Sequence, residues 1–346
     1  MRIGLRPYAF GSSISRFPNT IETTSEYSMI HTKTVFVLGA GASYAYGFPT
    51  GEQLVEEIVG FPNRAETLEL LMSAGDSEKD ISCFVNDLAA SDDASVDSFL
   101  EHRPEYLRIG KLAIVLSLIP KERDRTLTRK YRTHANNKLG QLAWYHYLWR
   151  AMAAPKQEFG ANSVSFITFN YDRSLERYFF LALKAKHGYR LEGECLSDLY
   201  GIYFLHVYGS LGDQCFSEHP YGREISANEL QRTAARLKVI HEELADTDTF
   251  SQAQTLLREA NTICFLGYGF HELNNERLGL AEIARDDKLR RQRWFSSSYG
   301  MTRAEFSRKT RNFVQRFVYH NHGLEKYVGQ ESDGALEVLR KFEILN

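Results

Sequence analysis

Four short turns along the chain carry residue types from which a ligand site could be built. Gly39-Ala40-Gly41 follows an apolar run, and glycines there let backbone N–H groups approach an anion closely. Asn170 and Asp172 stand in the second turn, His206 lies just before the third, and Gly267-Tyr268-Gly269 forms the fourth. A glycine turn of the first kind is typical of proteins that hold a nucleotide diphosphate.

Each of these features also has a structural interpretation that involves no ligand. Two glycines occur in tight strand-to-helix turns, and Asn170 and Asp172 are typical of turns and helix N-caps. An ionisable residue such as His206 in an apolar strand has either a hydrogen-bonding partner in the core or a functional role. Tyr44 replaces the third glycine of the dinucleotide fingerprint, which disfavours a dehydrogenase.

The segments before these turns are predicted to be buried parallel strands. They are short and apolar throughout, which is typical of strands covered on both sides. The runs are 34–38, 164–168, 201–210 and 262–266, and Trp294-Phe295 predicts a short edge strand. The carboxyl ends of parallel strands lie along one edge of the sheet, where ligands bind. We therefore predict an α/β fold with a Rossmann-like parallel sheet and helices on both faces.

The rest of the chain is predicted to be mainly helical. Thr50 and Gln53 form a capping-box pattern at the start of the helix that follows the first glycine turn. No linker divides the chain into independent units. The predicted segments are a loose tail over residues 1–30 and one domain over 31–346, with a helical insertion over about 61–160 and C-terminal helices over about 303–346 (303–318 and 333–343).

Composition disfavours several classes of protein. The formal net charge is -2 over 346 residues, so no overall basic field points to nucleic acid or to an anionic membrane. The four cysteines are far apart and form no C-x-x-C pair, which disfavours a zinc site or a disulfide framework. No apolar run approaches the ~20 residues of a membrane helix, and the first residues lack a signal-peptide pattern. A cytoplasmic protein without a metal is predicted.

Taken in order, the motifs resemble those of the sirtuin-like family, in the branch found in bacterial antiviral defence. The resemblance covers about residues 34 to 270, and the ordered set is specific. The matching stretches are Gly39-Ala40-Gly41-Ala42-Ser43 with Gly47 and Pro49, Ser95-Val96-Asp97-Ser98-Phe99-Leu100, Thr168-Phe169-Asn170-Tyr171-Asp172, His206 with Tyr208-Gly209-Ser210, and Gly267-Tyr268-Gly269-Phe270.

The resemblance implies an enzyme that cleaves NAD into nicotinamide and ADP-ribose, with NAD as its substrate and no metal. It implies that Asn170 positions water and the nicotinamide ribose, that Asp172 contacts the nicotinamide amide, and that His206 is the general base. It also implies NAD-binding roles for residues of three turns. These are Gly39, Ala40, Gly41, Ser43, Tyr208, Gly209, Ser210, Gly267 and Tyr268.

The sequence departs from ordinary sirtuins at three places. Pro49-Thr50-Gly51-Glu52 stands where they have Pro-Asp-Phe-Arg, and their four zinc-binding cysteines are missing. Both differences favour an NAD hydrolase over a protein deacylase. Tyr208 stands where they have a histidine before glycine, while His206 lies two residues earlier on the same predicted strand face. The sequence leaves open which of these two residues is the base.

Other functions stay open at this point. A module that senses NAD or ADP-ribose without cleaving it, or an NAD-dependent protein deacylase, would use the same turns. The resemblance also implies a homo-oligomer or a second defence protein, such as a motor ATPase or a sensor. The helical insertion and the basic segment 288–311 are the predicted surfaces for such contacts.

Overall fold

The computed structural model describes residues 28–134, 136–214, 216–217, 219–239, 247–317, 328–330, 332–341 and 344. Residues 1–27 of the predicted tail lie outside the described residues. Ile30, at the end of that predicted tail, is buried, and its N–H donates to Asn162 Oδ1 at 2.8 Å. Its carbonyl accepts from Ser163 N at 2.7 Å. The packed part of the chain therefore begins before residue 31.

Five parallel strands form one sheet within the described residues, in the order β3-β2-β1-β4-β5. The strands are β1 (Thr34–Leu38), β2 (Val164–Thr168), β3 (Tyr203–His206), β4 (Thr262–Leu266) and β5 (Arg293–Ser296). This is the predicted α/β, Rossmann-like arrangement. β1, β2 and β4 have the predicted bounds, whereas β3 is shorter than the predicted run 201–210.

Helices connect the strands and form the predicted insertion. The helices are α1 (Ala40–Ser43), α2 (Gly51–Val59), α3 (Ala65–Ser73), α4 (Glu78–Ser91), α5 (Val96–His102), α6 (Leu107–Leu118), α7 (Arg129–Thr133), α8 (Lys138–Gln141), α9 (Tyr145–Ala151), α10 (Ser174–His187), α11 (Glu192–Leu199), α12 (Ala227–Arg236), α13 (Thr247–Glu259), α14 (Glu272–Arg277), α15 (Leu280–Arg285), α16 (Arg303–Lys309) and α17 (Ala335–Lys341). Helices α3 to α9 lie between α2 and β2, in the range predicted as the insertion. None of the described helices is long and apolar enough to cross a membrane.

The start of α2 shows how a local signal sets a helix boundary. Thr50 Oγ1 accepts from Gln53 N at 3.5 Å, and Thr50 N donates to Gln53 Oε1 at 3.0 Å. This is the predicted capping box, and a cap of this kind contributes about 1 kcal/mol. Leu54 and Ile58, one turn apart, are buried, so α2 places its apolar face on the core.

Both faces of the sheet are covered, as a parallel sheet requires. On one face the Phe36 and Phe166 rings stack at 5.4 Å, the Phe166 and Phe204 rings stack at 4.7 Å, and Phe179 of α10 packs on them. Residues after β5 cover the other face, through ring contacts among Phe265, Trp294, Phe313 and Phe317. Complete burial of one such ring contributes roughly 2 kcal/mol, so these contacts are a large part of the core.

The strand order reverses at β1, which pairs with β2 on one side and β4 on the other. This is the topological switch point at which open α/β sheets bind ligands. The loops after β1 and β4 touch there, because Gly41 N donates to Gly267 O at 3.2 Å. A Cβ on Gly267 would lie 2.1 Å from Ala42 N, and the φ of Gly267 is +59°. Contact between the two main chains therefore requires glycine at this position.

Replacing Gly267 by alanine is expected to destabilise the protein by about 3 kcal/mol, because the added methyl group collides with backbone and the left-handed conformation is strained. The free energy of unfolding from denaturant titration measures this effect. Gly269→Ala is the matched control, because a Cβ there meets no atom within 4 Å. It should change the free energy of unfolding by less than about 1 kcal/mol. Equal effects of the two substitutions would contradict this explanation of the switch point.

Candidate functional site

The carboxyl ends of four strands line up at one edge of the sheet. Leu38 pairs with Thr168 and with Leu266, and Thr168 pairs with His206. The four predicted turns therefore lie next to one another, as expected for parallel strands in register. The contacts between them decide which of the predicted site residues meet.

Asn170 joins the turn after β2 to the glycine turn after β1. Its side-chain Nδ2 donates to Gly39 O at 3.0 Å and to Ser43 Oγ at 3.1 Å. Its backbone N–H donates to Thr168 Oγ1 at 3.1 Å, which closes the turn locally. These hydrogen bonds hold the side-chain amide in place. Asn170 is half-buried, so solvent reaches it at this edge of the sheet.

His206, at the end of β3, has a partner on each ring nitrogen. Nδ1 lies 3.0 Å from Asn170 O, and Nε2 lies 2.6 Å from Glu176 Oε1 on α10. The His206 and Glu176 side chains are 14% and 5% exposed. Burial acts to lower the pKa of His206, but the Glu176 carboxylate and the Asn170 carbonyl outweigh burial, and the net pKa is raised. His206 and Asn170 are thus brought together, as the sequence predicts.

Asp172 is buried at the start of α10. Its Oδ1 accepts from Ser174 N at 3.0 Å and from Ser174 Oγ, and the Ser43 hydroxyl also bonds its carboxylate. Asp172 therefore satisfies a backbone N–H of the first helical turn, which is the structural role that the sequence also allows. Burial raises the pKa of Asp172, against the hydrogen bonds from Ser174 and Ser43, which lower it.

The glycine turn after β1 faces solvent, and its N–H groups are engaged within the protein. Gly41 is exposed and Ala40 is half-buried, so a ligand can reach the start of α1. The N–H groups of Gly39 and Gly41 donate to carbonyls at the end of β4, and Ala42 N donates to Gly39 O at 2.8 Å. In this conformation the donors predicted to cradle a phosphate therefore bond the chain itself.

Tyr208 does not share a face with His206, so that part of the sequence prediction is wrong. β3 ends at His206, and the chain has left the strand before it reaches Tyr208. The Tyr208 ring packs edge-on against Phe169 at 5.7 Å, and its hydroxyl bonds Asn274 on α14. Tyr268 packs on Phe169 at 5.1 Å. Tyr208 and Tyr268 thus belong to one aromatic cluster beside the Asn170 turn.

Gly209 and Ser210 set the path of the third turn. The φ of Gly209 is +80°, and a Cβ there would lie 2.2 Å from Arg236 O at the end of α12. Ser210 Oγ donates within its own turn, and Leu211 N donates to Tyr171 O at 2.9 Å. The third turn is therefore fixed between α12 and the Asn170 turn.

Arg173 forms a buried ion pair that the sequence did not reveal. Its Nε and Nη2 donate to the two carboxylate oxygens of Glu122 at 3.0 and 2.7 Å, and the two side chains are 1% and 0% exposed. Its Nη1 donates to His219 O at 3.0 Å. Burial raises the pKa of Glu122 to about 7, against the charge and hydrogen bonds of Arg173, which lower it. The pair joins the Asn170 turn to the segment before β2.

Asp97 of α5 makes a second link from the insertion to this turn. The Tyr171 hydroxyl lies 2.9 Å from Asp97 Oδ1 and 2.9 Å from Lys238 O. Asp97 stands in the stretch 95–100 that the sequence had singled out, but nothing in the sequence paired it with Tyr171. Glu176 was also missed, and its signal is a carboxylate between the buried apolar residues Leu175 and Phe179 of one helix.

Two cavities flank these residues. The smaller, of about 10 Å³, is lined by polar groups of Thr168, Asn170, Asp172 and Glu176 and is far too small for a nucleotide. The larger, of about 480 Å³, lies beyond β4, and its lining includes Phe270, Phe313, Glu272, Glu276, Arg308 and Lys309.

The fold and this edge define a Rossmann-like α/β protein with a polar, solvent-facing switch point. Comparison of the sequence with known protein families finds no family that matches, and no curated protein matches it either. Among the described residues, no group of three or more histidine, cysteine, aspartate or glutamate side chains is placed to hold a metal ion.

Glu122→Gln is expected to change how the stability of the protein depends on pH. The pKa of Glu122 is raised from 4.5 to about 7 in the folded protein, so folding favours the protonated carboxyl group. That contribution is fully present below pH 4.5 and is lost as the pH rises through about 7. Between about pH 5 and about pH 8 the wild-type protein should therefore lose about 2 kcal/mol of stability relative to the variant.

Denaturant titrations at several pH values measure this difference. Asp124→Asn is the matched control, because Asp124 accepts two hydrogen bonds from Arg177 at 2.9 and 2.8 Å but is 46% exposed. Solvent weakens such a pair, so this variant should follow the wild-type pH trend. If the free energies of unfolding of wild type and Glu122→Gln differ by the same amount at every pH, Glu122 does not titrate as described.

Proposed function

We propose that the protein cleaves the bond between nicotinamide and ribose in NAD and releases nicotinamide and ADP-ribose. The observation that carries this proposal is the junction at Asn170, where the glycine turn, the turn after β2 and His206 of β3 meet within hydrogen-bond distance. The same residues carry the resemblance to the sirtuin-like family. Their convergence at a topological switch point supports a shared ligand.

The chemistry sets what such a site must do. The C1′–N glycosidic bond breaks and its electron pair leaves with nicotinamide, while water forms a new bond to C1′ and releases its proton to solvent. The ribose carbon carries positive charge between these events, so the site has to hold the leaving group and place one water. In the proposal the Asn170 amide orients water and the ribose. Asp172 orients the nicotinamide amide.

The dinucleotide would extend along the exposed edge of the sheet. Its pyrophosphate would lie over Ala40 and Gly41, beside the buried Ser43 hydroxyl, and its adenosine would lie toward Gly267 and Tyr268. Phosphate binding would exchange the hydrogen bonds that the glycine N–H groups now make with the end of β4. The larger groove beyond β4 offers about 480 Å³ next to this path, a size typical of small-ligand sites.

The resemblance extends the proposal to a biological role, the depletion of cellular NAD as the effector of bacterial antiphage defence. Such an activity calls for control by a second copy or by a second defence protein, such as a motor ATPase or a sensor. The contacts of Asp97 and Glu122 with the Asn170 turn support the helical insertion as the surface for control. A partner bound there would act on the turn through two direct side-chain links.

A second function, the sensing of NAD or ADP-ribose without cleavage, is favoured by one observation. Both ring nitrogens of His206 and the N–H groups of Gly39 and Gly41 already have protein partners. A sensor would exchange these partners when it binds the ligand and would release no nicotinamide. An NAD-dependent protein deacylase is a third possibility, which the missing Pro-Asp-Phe-Arg motif disfavours.

Incubation of the full chain with NAD, alone and with the products of neighbouring genes, tests the proposal through the release of nicotinamide. Asn170→Ala should slow this release at least ~100-fold, because misplacement of a reactant costs about that much. The variant should remain folded, since loss of the amide hydrogen bonds costs about 1 to 2 kcal/mol. Thermal melting checks this.

Asn261→Ala is the matched control for that experiment, because Asn261 is exposed just before β4, at the sheet edge opposite to the site, and its rate should equal that of wild type. Release of nicotinamide by Asn170→Ala at the wild-type rate would overturn the proposed role of this residue. Thermal stabilisation by NAD without release under any condition would indicate the sensor instead. Release that requires an acyl-lysine peptide would indicate the deacylase.

A further inference from the structure

We propose that Glu176 is a positioning residue, which holds His206 as a cation. The cation donates hydrogen bonds from both ring nitrogens, one to Glu176 and one to the main-chain oxygen of Asn170. The contact of His206 with the Asn170 main chain is called the clamp below. This proposal rests on the proposed function and gives His206 a role other than that of general base. The three residues come from three different elements, namely α10, β3 and the turn after β2. Their arrangement is therefore a product of the tertiary fold.

The geometry around His206 engages both of its nitrogens. Nδ1 lies 3.0 Å from Asn170 O and Nε2 lies 2.6 Å from Glu176 Oε1. A main-chain carbonyl oxygen only accepts hydrogen bonds, and an ionised carboxylate also only accepts. A neutral imidazole has one N–H and would leave its other nitrogen lone pair against an oxygen. An imidazolium ion donates to both partners at once.

The other titratable groups near the ring agree with a positive charge on His206. Asp172, in the turn after β2, is a second carboxylate that favours the charged ring. Tyr145 of α9 lines the small cavity together with Asp172 and Glu176. The nearby Arg173 is directed to Glu122 by its bidentate ion pair. The charged groups that act on the ring are therefore the two carboxylates of Glu176 and Asp172.

The clamp acts on the main chain of Asn170, whereas other contacts hold its side-chain amide. His206 holds the main-chain oxygen of Asn170, while the side-chain amide reaches Gly39 O and Ser43 Oγ. Fixing both ends gives this amide one orientation toward the edge where substrate would lie. A general base instead needs a nitrogen lone pair directed at water or at a ribose hydroxyl. The two roles consequently predict opposite responses to pH.

An NMR titration of the 11 histidines tests the clamp without any need for catalysis. The His206 signal is identified by its loss in His206→Gln. In Glu176→Gln the titration midpoint of His206 should fall by about one pH unit or more, because a buried carboxylate partner is removed. The matched control is Glu194→Gln, an exposed glutamate on α11, which should leave the midpoint unchanged. An unchanged midpoint in Glu176→Gln would overturn the proposal.

The pH profile of NAD cleavage distinguishes a clamp from a base. For a clamp, kcat falls as the pH rises through the His206 midpoint, and in Glu176→Gln the fall moves to lower pH. Glu176→Asp, which keeps the carboxylate, should move the profile back toward that of wild type. A kcat that rises through the same midpoint would establish His206 as a base and overturn the clamp. Absence of nicotinamide release under every condition would defeat the proposed function, while the NMR midpoint would still decide the clamp.

Discussion

Contact between the main chains of the loops after β1 and β4 is the constraint on which the rest of the site depends. Gly41 and Gly267 approach so closely that a single added methyl group on Gly267 has no room. A side chain is thereby excluded from the contact between these two loops, and the backbone of Ala40 and Gly41 is accessible to solvent at this edge. The polar side chains of the candidate site must come from the neighbouring strands, and Asn170 and His206 come from β2 and β3.

The turn that carries Asn170 is fixed by a buried polar network. A buried charge or hydroxyl is costly unless it is paired, and here each polar residue that follows Asn170 has a partner. Asp172 bonds Ser174, and two partners come from the segment between β1 and β2, namely Asp97 for Tyr171 and Glu122 for Arg173. That segment is therefore part of the site's supporting structure. Breaking such a buried pair costs several kcal/mol, so these contacts stabilise the turn in the conformation described.

The proposed functions differ in which hydrogen bonds of the ligand-free protein are kept and which are exchanged when NAD binds. A hydrolase with His206 as a clamp keeps the His206 bonds and exchanges only those of the glycine N–H groups. A hydrolase with His206 as a base has to release one ring nitrogen from Asn170 or Glu176. A sensor uses the exchange of these hydrogen bonds on ligand binding as its signal. The contact of His206 with Glu176 is thus the interaction that separates these mechanisms.

The sequence by itself determined the bounds of β1, β2 and β4, the cap of α2 and the meeting of Gly39, Asn170 and His206 at one edge. These follow from local rules, since a short apolar run makes a buried strand and parallel strands align their ends. Only the tertiary structure decided the partners of the site residues. Glu176, Glu122 and Asp97 lie 30, 51 and 74 residues from the groups that they bond. Such pairs depend on how helices pack on the sheet, and the early end of β3 likewise turned Tyr208 away from His206, because periodicity predicts a face only while the strand continues.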